Sequence, residues 1–354
     1  MDTRSVPSLV QRLLRGRALY GMFSLAVFVL YSRAITIRWV DPFTGHEVPQ
    51  RALDAEWWPK ALDWGAMERL LTQQPRLMLA FSVVSLLLLG LAVFGIALTF
   101  WTLWSGQVRA FWSAASRRIP AWSWGELWRT ALLAVLVAGV LPFTRAALPP
   151  GLAADPHLWA TLSMLWLDGF VILMIVSFAA GKGTSPWWRA FGLPARRPWA
   201  SVGTSVRAYV MLFPWVVLLL TLITEAFRRL GWRPPIEPIQ ELLFRSQRPS
   251  VLWLTILLAC VVGPIAEELF FRGVLYAAVR RKASRAAATL VSGAAFALLH
   301  TNAVGFVPIL ILGCLFANLY ERTGSILAPL SVHVLHNTIL MSVALVFRQL
   351  LLAA

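Results

Sequence analysis

Residues 251–280 read VLWLTILLACVVGPIAEELFFRGVLYAAVR, and this stretch decides the fold. A membrane-spanning helix needs about 20 predominantly apolar residues, and this run is longer than that. Before its last position it contains only three charged residues, Glu267, Glu268 and Arg272. A charged side chain at the centre of a spanning helix costs about 2.5–3.5 kcal/mol on insertion scales. The run therefore predicts a spanning helix whose charges pair with one another or face a cavity that holds water.

The composition of the whole chain also indicates a membrane protein. Of its 354 residues 58% are apolar and 14% are charged, and its mean hydropathy is +0.69. An average soluble domain is about half apolar and a quarter charged, so a soluble domain and a disordered chain are both excluded. The net charge is +16, and the basic residues stand in short clusters between apolar runs. Such clusters are typical of loops beside membrane spans, so we expect the lipid bilayer as a partner and no nucleic acid.

Nine apolar segments are candidates for membrane spans. They cover residues 18–38, 77–104, 130–148, 158–181, 207–227, 251–279, 286–302, 304–320 and 325–352. We therefore predict an all-α fold, a polytopic integral membrane helical bundle with about eight to nine transmembrane helices. The first segment has no clear small-residue cleavage site, so we interpret it as an uncleaved anchor.

A change in composition near residues 182–206, which are rich in proline and arginine, predicts a division of the chain. We expect an N-terminal transmembrane portion over residues 1–200 and a C-terminal core over residues 205–354. Two tryptophan-rich stretches of the N-terminal portion, 54–71 and 107–129, have the pattern of helices that lie in the membrane interface.

The spacing of the three charges in the deciding stretch suggests separate tasks. Glu268 and Arg272 are four residues apart, so they meet on one face of a helix and are expected to form an ion pair. Glu267 is rotated by about 100° around the helix and is the poorer partner for the arginine. We therefore expect Glu267 to be freer to take up a proton.

Further polar residues follow in the last apolar segments, namely His300, His333 and Asn337. With a helical rise of about 1.5 Å per residue, Glu267 and His300 each lie about 20 Å from the same membrane surface. His333 lies about 12 Å and Asn337 about 18 Å from that surface by the same rise. Three separate helices therefore bring these groups to one polar layer. His336 is interpreted as an auxiliary or packing residue and is left out of the site.

Three short motifs resemble those of the CAAX protease and bacteriocin-processing (CPBP) family of intramembrane proteases. EELFFR at residues 267–272 fits the pattern E-E-x-x-x-R, FALLH at 296–300 fits F-x-x-x-H, and HVLHN at 333–337 fits H-x-x-x-N. The lead-in GSILAP at 324–329 is also similar to that of family members. The resemblance covers roughly residues 205–354 and no comparable likeness is found over residues 1–200.

The resemblance implies a role for each motif residue. Glu267 with His300 would activate a water molecule as the general base, and His333 with Asn337 would stabilise the oxyanion. The residue types agree with peptide hydrolysis, which needs a positioned base and preorganised donors where negative charge develops.

The remaining motif residues, Glu268 and Arg272, would support this constellation. Members of the family have been described as metalloproteases and as metal-independent glutamic proteases. We favour the glutamic version without a cofactor, because the chain has no H-E-x-x-H motif and Asn337 suits an oxyanion hole. In the alternative version, Glu267, His300 and His333 would form a zinc site.

The substrate is expected to be a membrane protein or peptide that is cut near the membrane boundary, such as one with a C-terminal sorting tail. The chain has 29 arginines and three lysines, which is typical of a GC-rich bacterial genome, so we expect the bacterial inner membrane. A non-enzymatic alternative is a proton-linked transporter or a membrane scaffold that uses the same polar layer. Asp168, an isolated acid in the segment 158–181, is left out of the site.

Overall fold

All regular elements in the described part of the chain are helices. The computed structural model describes residue 20 and residues 64–106, 122–145, 149, 155–182, 186–195, 197–230, 238–246, 248–300 and 304–353. Over these residues it contains no β-strand, and long apolar helices dominate. The predicted all-α membrane bundle is confirmed.

The described part of the N-terminal portion contains four long helices. They are α1 (Trp64–Gln73), α2 (Pro75–Trp104), α3 (Trp124–Thr144) and α4 (Pro156–Ala180). Asp155 caps α4, where its Oδ1 atom accepts the backbone N–H groups of Leu158 and His157 at 3.1 and 2.9 Å. These hydrogen bonds hold the pKa of Asp155 below its usual value, and the bond from Leu158 has the larger effect.

The structure changes the interpretation of the second tryptophan-rich stretch, 107–129. Ser123 Oγ accepts the N–H of Glu126 at 3.2 Å, and Glu126 Oε2 accepts the N–H of Ser123 at 2.7 Å. This capping box starts α3 at Trp124, so residues 124–129 belong to a membrane helix and not to a separate interfacial one. Residues 107–121 and 54–63 lie outside the described residues, and the rest of the first stretch is part of α1.

Six helices follow in the C-terminal portion. They are α5 (Pro198–Arg229), α6 (Pro238–Arg245), α7 (Pro249–Arg280), α8 (Arg285–Leu299), α9 (Phe306–Thr323) and α10 (Leu327–Ala353). Helix α7 contains two π-helical segments, Leu258–Val262 and Leu269–Tyr276, which flank the two adjacent glutamates. Such π segments occur often at functional sites, because each adds a residue to a turn and changes where the following side chains point.

Seven helices among the described residues are long and apolar enough to span a membrane: α2, α3, α4, α5, α7, α9 and α10. Helix α8 is apolar but has only 15 residues, so the predicted segment 286–302 is shorter than expected. The predicted segment 18–38 lies outside the described residues except for Tyr20. The chain is an integral membrane protein on these spans.

Helix α7 lies in the interior of the bundle, in contact with α4, α8, α9 and α10. Helices α8 and α9 approach very closely, because a Cβ atom added to Gly313 would lie 2.9 Å from the Cα atom of Gly293. Small residues permit such close packing of membrane helices, since the two backbones can touch. Helices α8 and α9 therefore form a closely packed pair beside the part of α7 that contains Glu267, Glu268 and Arg272.

Candidate active site

The centre of the site is the carboxylate of Glu268, which is fully buried. Its Oε1 atom accepts hydrogen bonds from Arg272 Nη1 at 2.7 Å and from His333 Nδ1 at 2.8 Å. The predicted ion pair four residues apart is therefore present, and both of its side chains are 0% exposed. A buried ion pair of this kind is tolerable only when further polar contacts satisfy both ions.

Arg272 obtains these further contacts from helices α8 and α9. Its Nη2 atom donates to the carbonyl oxygen of Gly313 at 3.1 Å. Its guanidinium carbon lies 4.6 Å from the ring centroid of Phe296 and 4.9 Å from that of Phe316. Cations over aromatic faces are attracted by the ring quadrupole, so this cradle partly replaces the lost water. Helices α8 and α9 thus hold the arginine, and the arginine holds Oε1 of Glu268.

His333 is held by the same set of groups. Its ring is stacked on Phe316 with centroids 4.9 Å apart, and it meets Phe296 edge-on at 5.6 Å. Because Nδ1 is engaged by Glu268, the Nε2 atom is the nitrogen left for chemistry. This atom accepts a hydrogen bond in the neutral ring and donates one in the imidazolium.

Glu267 differs from its neighbour in access. Its side chain is 34% exposed, whereas that of Glu268 is 0% exposed. The Oε2 atom of Glu267 lies 3.4 Å from His333 Nε2, which is longer than an ordinary hydrogen bond. A reachable carboxylate and an imidazole nitrogen therefore face each other at one place in the membrane-spanning part of the protein.

His300 is located at the end of α8, beside the same aromatic cluster. Its ring centroid is 4.7 Å from that of Phe296, the ring that His333 also contacts. Its Nδ1 atom lies 2.9 Å from the carbonyl oxygen of Phe296. A carbonyl oxygen only accepts, so Nδ1 carries the hydrogen and Nε2 of the neutral ring has the free electron pair. His300 thus lies near the site but is not bonded directly to Glu267 or His333.

Asn337 has a partner that the sequence motif does not suggest. Its Nδ2 atom donates to the carbonyl oxygen of Ala259 at 2.7 Å. In the π-helical segment the N–H of Gly263 bonds five residues back to Leu258, so the next donor in this pattern would be Pro264. Proline has no N–H group, and the carbonyl of Ala259 is therefore left for Asn337. The asparagine joins α10 to α7 and keeps one N–H of its amide for another acceptor.

Two polar groups near the site are not among the predicted site residues: no motif of the sequence includes Tyr209, and Asp168 is left out. Tyr209 of α5 is buried, and its hydroxyl group lies 3.0 Å from Nδ1 of His336. Asp168 of α4 reaches α7, since a Cβ atom on Gly263 would lie 3.7 Å from its Oδ2. The isolated acid in an apolar segment was the signal for Asp168. A single tyrosine in an apolar helix gives no comparable signal.

The zinc-dependent alternative requires a cluster of metal ligands. Over the described ranges, no three His, Cys, Asp or Glu side chains converge closely enough to hold a metal ion. Glu267 and His333 are neighbours, whereas His300 is connected to them only through the ring of Phe296. The fit of these three residues to a zinc ion is therefore incomplete in this arrangement.

The fold and the site define a class of protein: a polytopic membrane protein with carboxylates and imidazoles gathered inside its helical bundle. Residues 249–339 match the family described as type II CAAX prenyl endopeptidase Rce1-like. An 85-residue stretch is 34% identical to a Bacillus subtilis (strain 168) protein named "Putative membrane peptidase YdiL". Over residues 249–339 the chain is thus similar to CAAX-type membrane endopeptidases, which agrees with the predicted resemblance to the CPBP family.

The likeness is local. The match to YdiL covers 24% of this chain and 35% of the length of YdiL. The family match contains all three motifs and ends within α10, whereas α1 to α6 lie before it. No solved structure matches the chain.

Proposed function

We propose that the chain is an intramembrane endopeptidase that hydrolyses a peptide bond of a membrane-associated substrate. One observation carries this proposal. The partly exposed carboxylate of Glu267 faces the Nε2 atom of His333, whose other ring nitrogen is fixed by the buried Glu268. An accessible acid beside an oriented imidazole is the arrangement that general acid–base catalysis requires. The similarity to membrane peptidases supports the same reaction class.

In the proposed reaction, Glu267 and His300 remove a proton from a water molecule while the water oxygen attacks the scissile carbonyl carbon. Both side chains are accessible, and the neutral ring of His300 keeps a free electron pair on Nε2. The same groups then return the proton to the leaving nitrogen as the C–N bond breaks. Catalytic hydrogen bonds are often formed only when substrate binds, so the absence of a direct bond between Glu267 and His300 is compatible with this step.

The negative charge that develops on the carbonyl oxygen needs donors nearby. His333 donates from Nε2 when its ring carries both protons, and Asn337 donates with the N–H that Ala259 does not use. Such preorganised donors are typically worth about 10²–10³ in rate each. Glu268 and Arg272 contribute indirectly, because they hold the His333 ring in one orientation.

The zinc-dependent version uses the same residues differently. Glu267, His300 and His333 would hold the ion, which would supply Lewis-acid activation of the reacting groups. The metal-independent version is favoured, because His300 is connected to His333 only through the ring of Phe296 and Asn337 provides a donor one turn along α10 from His333. The location that we propose is the bacterial inner membrane, and the proposed substrate is a membrane protein or peptide, such as one with a C-terminal sorting tail.

The substrate is found by comparing new protein termini in the membrane fraction of three strains. A deletion strain is complemented with the native chain, with Glu267→Gln or with Glu68→Gln, whose acid is exposed on α1. We expect the same termini with the native chain and Glu68→Gln, and their loss with Glu267→Gln at equal membrane insertion. Identical termini in all three strains would remove Glu267 from the chemistry.

A further inference from the structure

A second feature of the molecule lies away from the site, where α2 and α5 cross as antiparallel helices. A Cβ atom on Gly95 would overlap the carbonyl oxygen of Val210 and lie 2.9 Å from Pro214 Cδ. Thr99 Oγ1 donates to the carbonyl oxygen of Met211 at 3.2 Å and accepts from Trp215 Nε1 at the same distance. The two helices are therefore fixed against each other at this crossing.

Beside the crossing the two helices separate and leave a groove of about 470 Å³. It runs between the last turns of α2 and the first half of α5, and an arginine, Arg207, lies among its apolar walls. A Cβ atom added to Gly203 would meet nothing within 4 Å, so the groove is open along this side. Its deeper part is lined by Phe94 and Val210, which are apolar.

Arg207 is exposed and has no hydrogen-bond or ion-pair partner in the part of the chain that the structure describes. Helix α5 rises about 32 Å between Arg207 and Arg228, which matches a hydrocarbon layer of about 30 Å. Arg228 at the opposite boundary is already neutralised by two bonds to Glu225, at 2.7 and 2.8 Å. Arg207 is therefore an uncompensated cation whose long side chain can extend towards the headgroups at one end of this span, and Trp101 in the same groove is 65% exposed.

We propose that this groove binds an anionic phospholipid, with the lipid phosphate on Arg207 and an acyl chain along Phe94, Leu98 and Val206. The charge of Arg207, which its long side chain can carry towards the headgroups, and the apolar walls of the groove complement the two ends of such a lipid. A zwitterionic lipid offers the same chains but no net charge, so it is the weaker ligand. The proposal is independent of peptide hydrolysis.

The test uses the purified full-length chain with equal amounts of phosphatidylglycerol and phosphatidylcholine that have identical acyl chains. Native mass spectrometry counts the retained lipids of each kind. We expect the native chain and Arg207→Lys to prefer phosphatidylglycerol, and Arg207→Gln to retain about fivefold less of it. Arg228→Gln is the matched control and should leave the preference unchanged.

A second variant tests the groove itself. Val206→Trp fills the space for the acyl chain, so it should also lower phosphatidylglycerol retention while Arg207 is intact. Melting temperatures establish that the variants are folded. Undiminished retention by Arg207→Gln, an equal loss in Arg228→Gln, or undiminished retention by Val206→Trp would each overturn the proposal.

Discussion

The Nδ1 atom of His333 lies 2.8 Å from the Oε1 atom of Glu268, and this contact joins two motifs that are 65 residues apart in the chain. The same oxygen accepts a hydrogen bond from Arg272 at 2.7 Å. One buried carboxylate therefore organises both the cation behind the site and the imidazole within it. Several experiments separate this organising role from the reaction itself.

Replacing Glu268 by Gln should destabilise the protein strongly. The guanidinium of Arg272 would remain buried without its counter-charge, and breaking a buried ion pair in this way costs about 3–5 kcal/mol. The free energy of unfolding in detergent measures the effect, with Glu68→Gln as the exposed control. A Glu268→Gln protein as stable as the native chain would contradict the central place of this carboxylate.

The crossing of α8 and α9 gives a second stability prediction. A Cβ atom on Gly293 would lie 2.7 Å from Cys314 Sγ and 3.0 Å from the backbone nitrogen of that residue, so Gly293→Ala forces the helices apart. Overpacking of this kind costs about 1–3 kcal/mol. Gly90→Ala is the control, because its added Cβ meets nothing within 4 Å. Equal melting temperatures for the two variants would argue against the close approach.

Asn337 allows packing and chemistry to be separated. Asn337→Ala leaves the carbonyl of Ala259 without its donor, which should cost about 1–3 kcal/mol. Adding Pro264→Ala supplies a backbone N–H at the position that the π-helical pattern assigns to that carbonyl. The double variant should therefore recover stability and still cleave substrate poorly. Recovery of full cleavage together with stability would show that Asn337 acts only as a packing residue.

Metal dependence can be tested on the purified full-length enzyme. The metal-independent mechanism predicts that cleavage continues after dialysis against a chelator, with less than one metal ion per chain by elemental analysis. Loss of cleavage that is restored by zinc would instead support the alternative in which Glu267, His300 and His333 hold the ion.

The sequence predicted the parts of this structure that depend on regular helices. Long apolar runs located the spans, and the four-residue spacing of Glu268 and Arg272 correctly predicted their ion pair. The sequence also predicted that Glu267 and His333 lie in one polar layer, and their side chains are 3.4 Å apart. These predictions succeeded because helical periodicity and the cost of burying charge act locally along the chain.

Other features depend on how the helices pack. The bond from Asn337 to Ala259 forms where Pro264 removes a backbone donor next to the π-helical segment Leu258–Val262. A regular helix with a rise of about 1.5 Å per residue contains no such segment, so the helical pattern of the sequence does not predict this bond. The contact of Tyr209 with His336 joins α5 to α10, so no motif contains it. The tryptophans of residues 124–129 suggest an interfacial helix, whereas the capping box at Ser123 makes these residues the first turns of α3.

The central claim is that Glu267 and His300 activate the attacking water. The most direct test measures cleavage of the identified substrate by the purified full-length chain and its Glu267→Gln, His300→Ala and Glu68→Gln variants. We predict that Glu267→Gln and His300→Ala each lower the rate by about 10²–10⁴ and leave the melting temperature nearly unchanged, because both side chains are partly exposed. Cleavage by folded Glu267→Gln at the rate of Glu68→Gln would contradict the account.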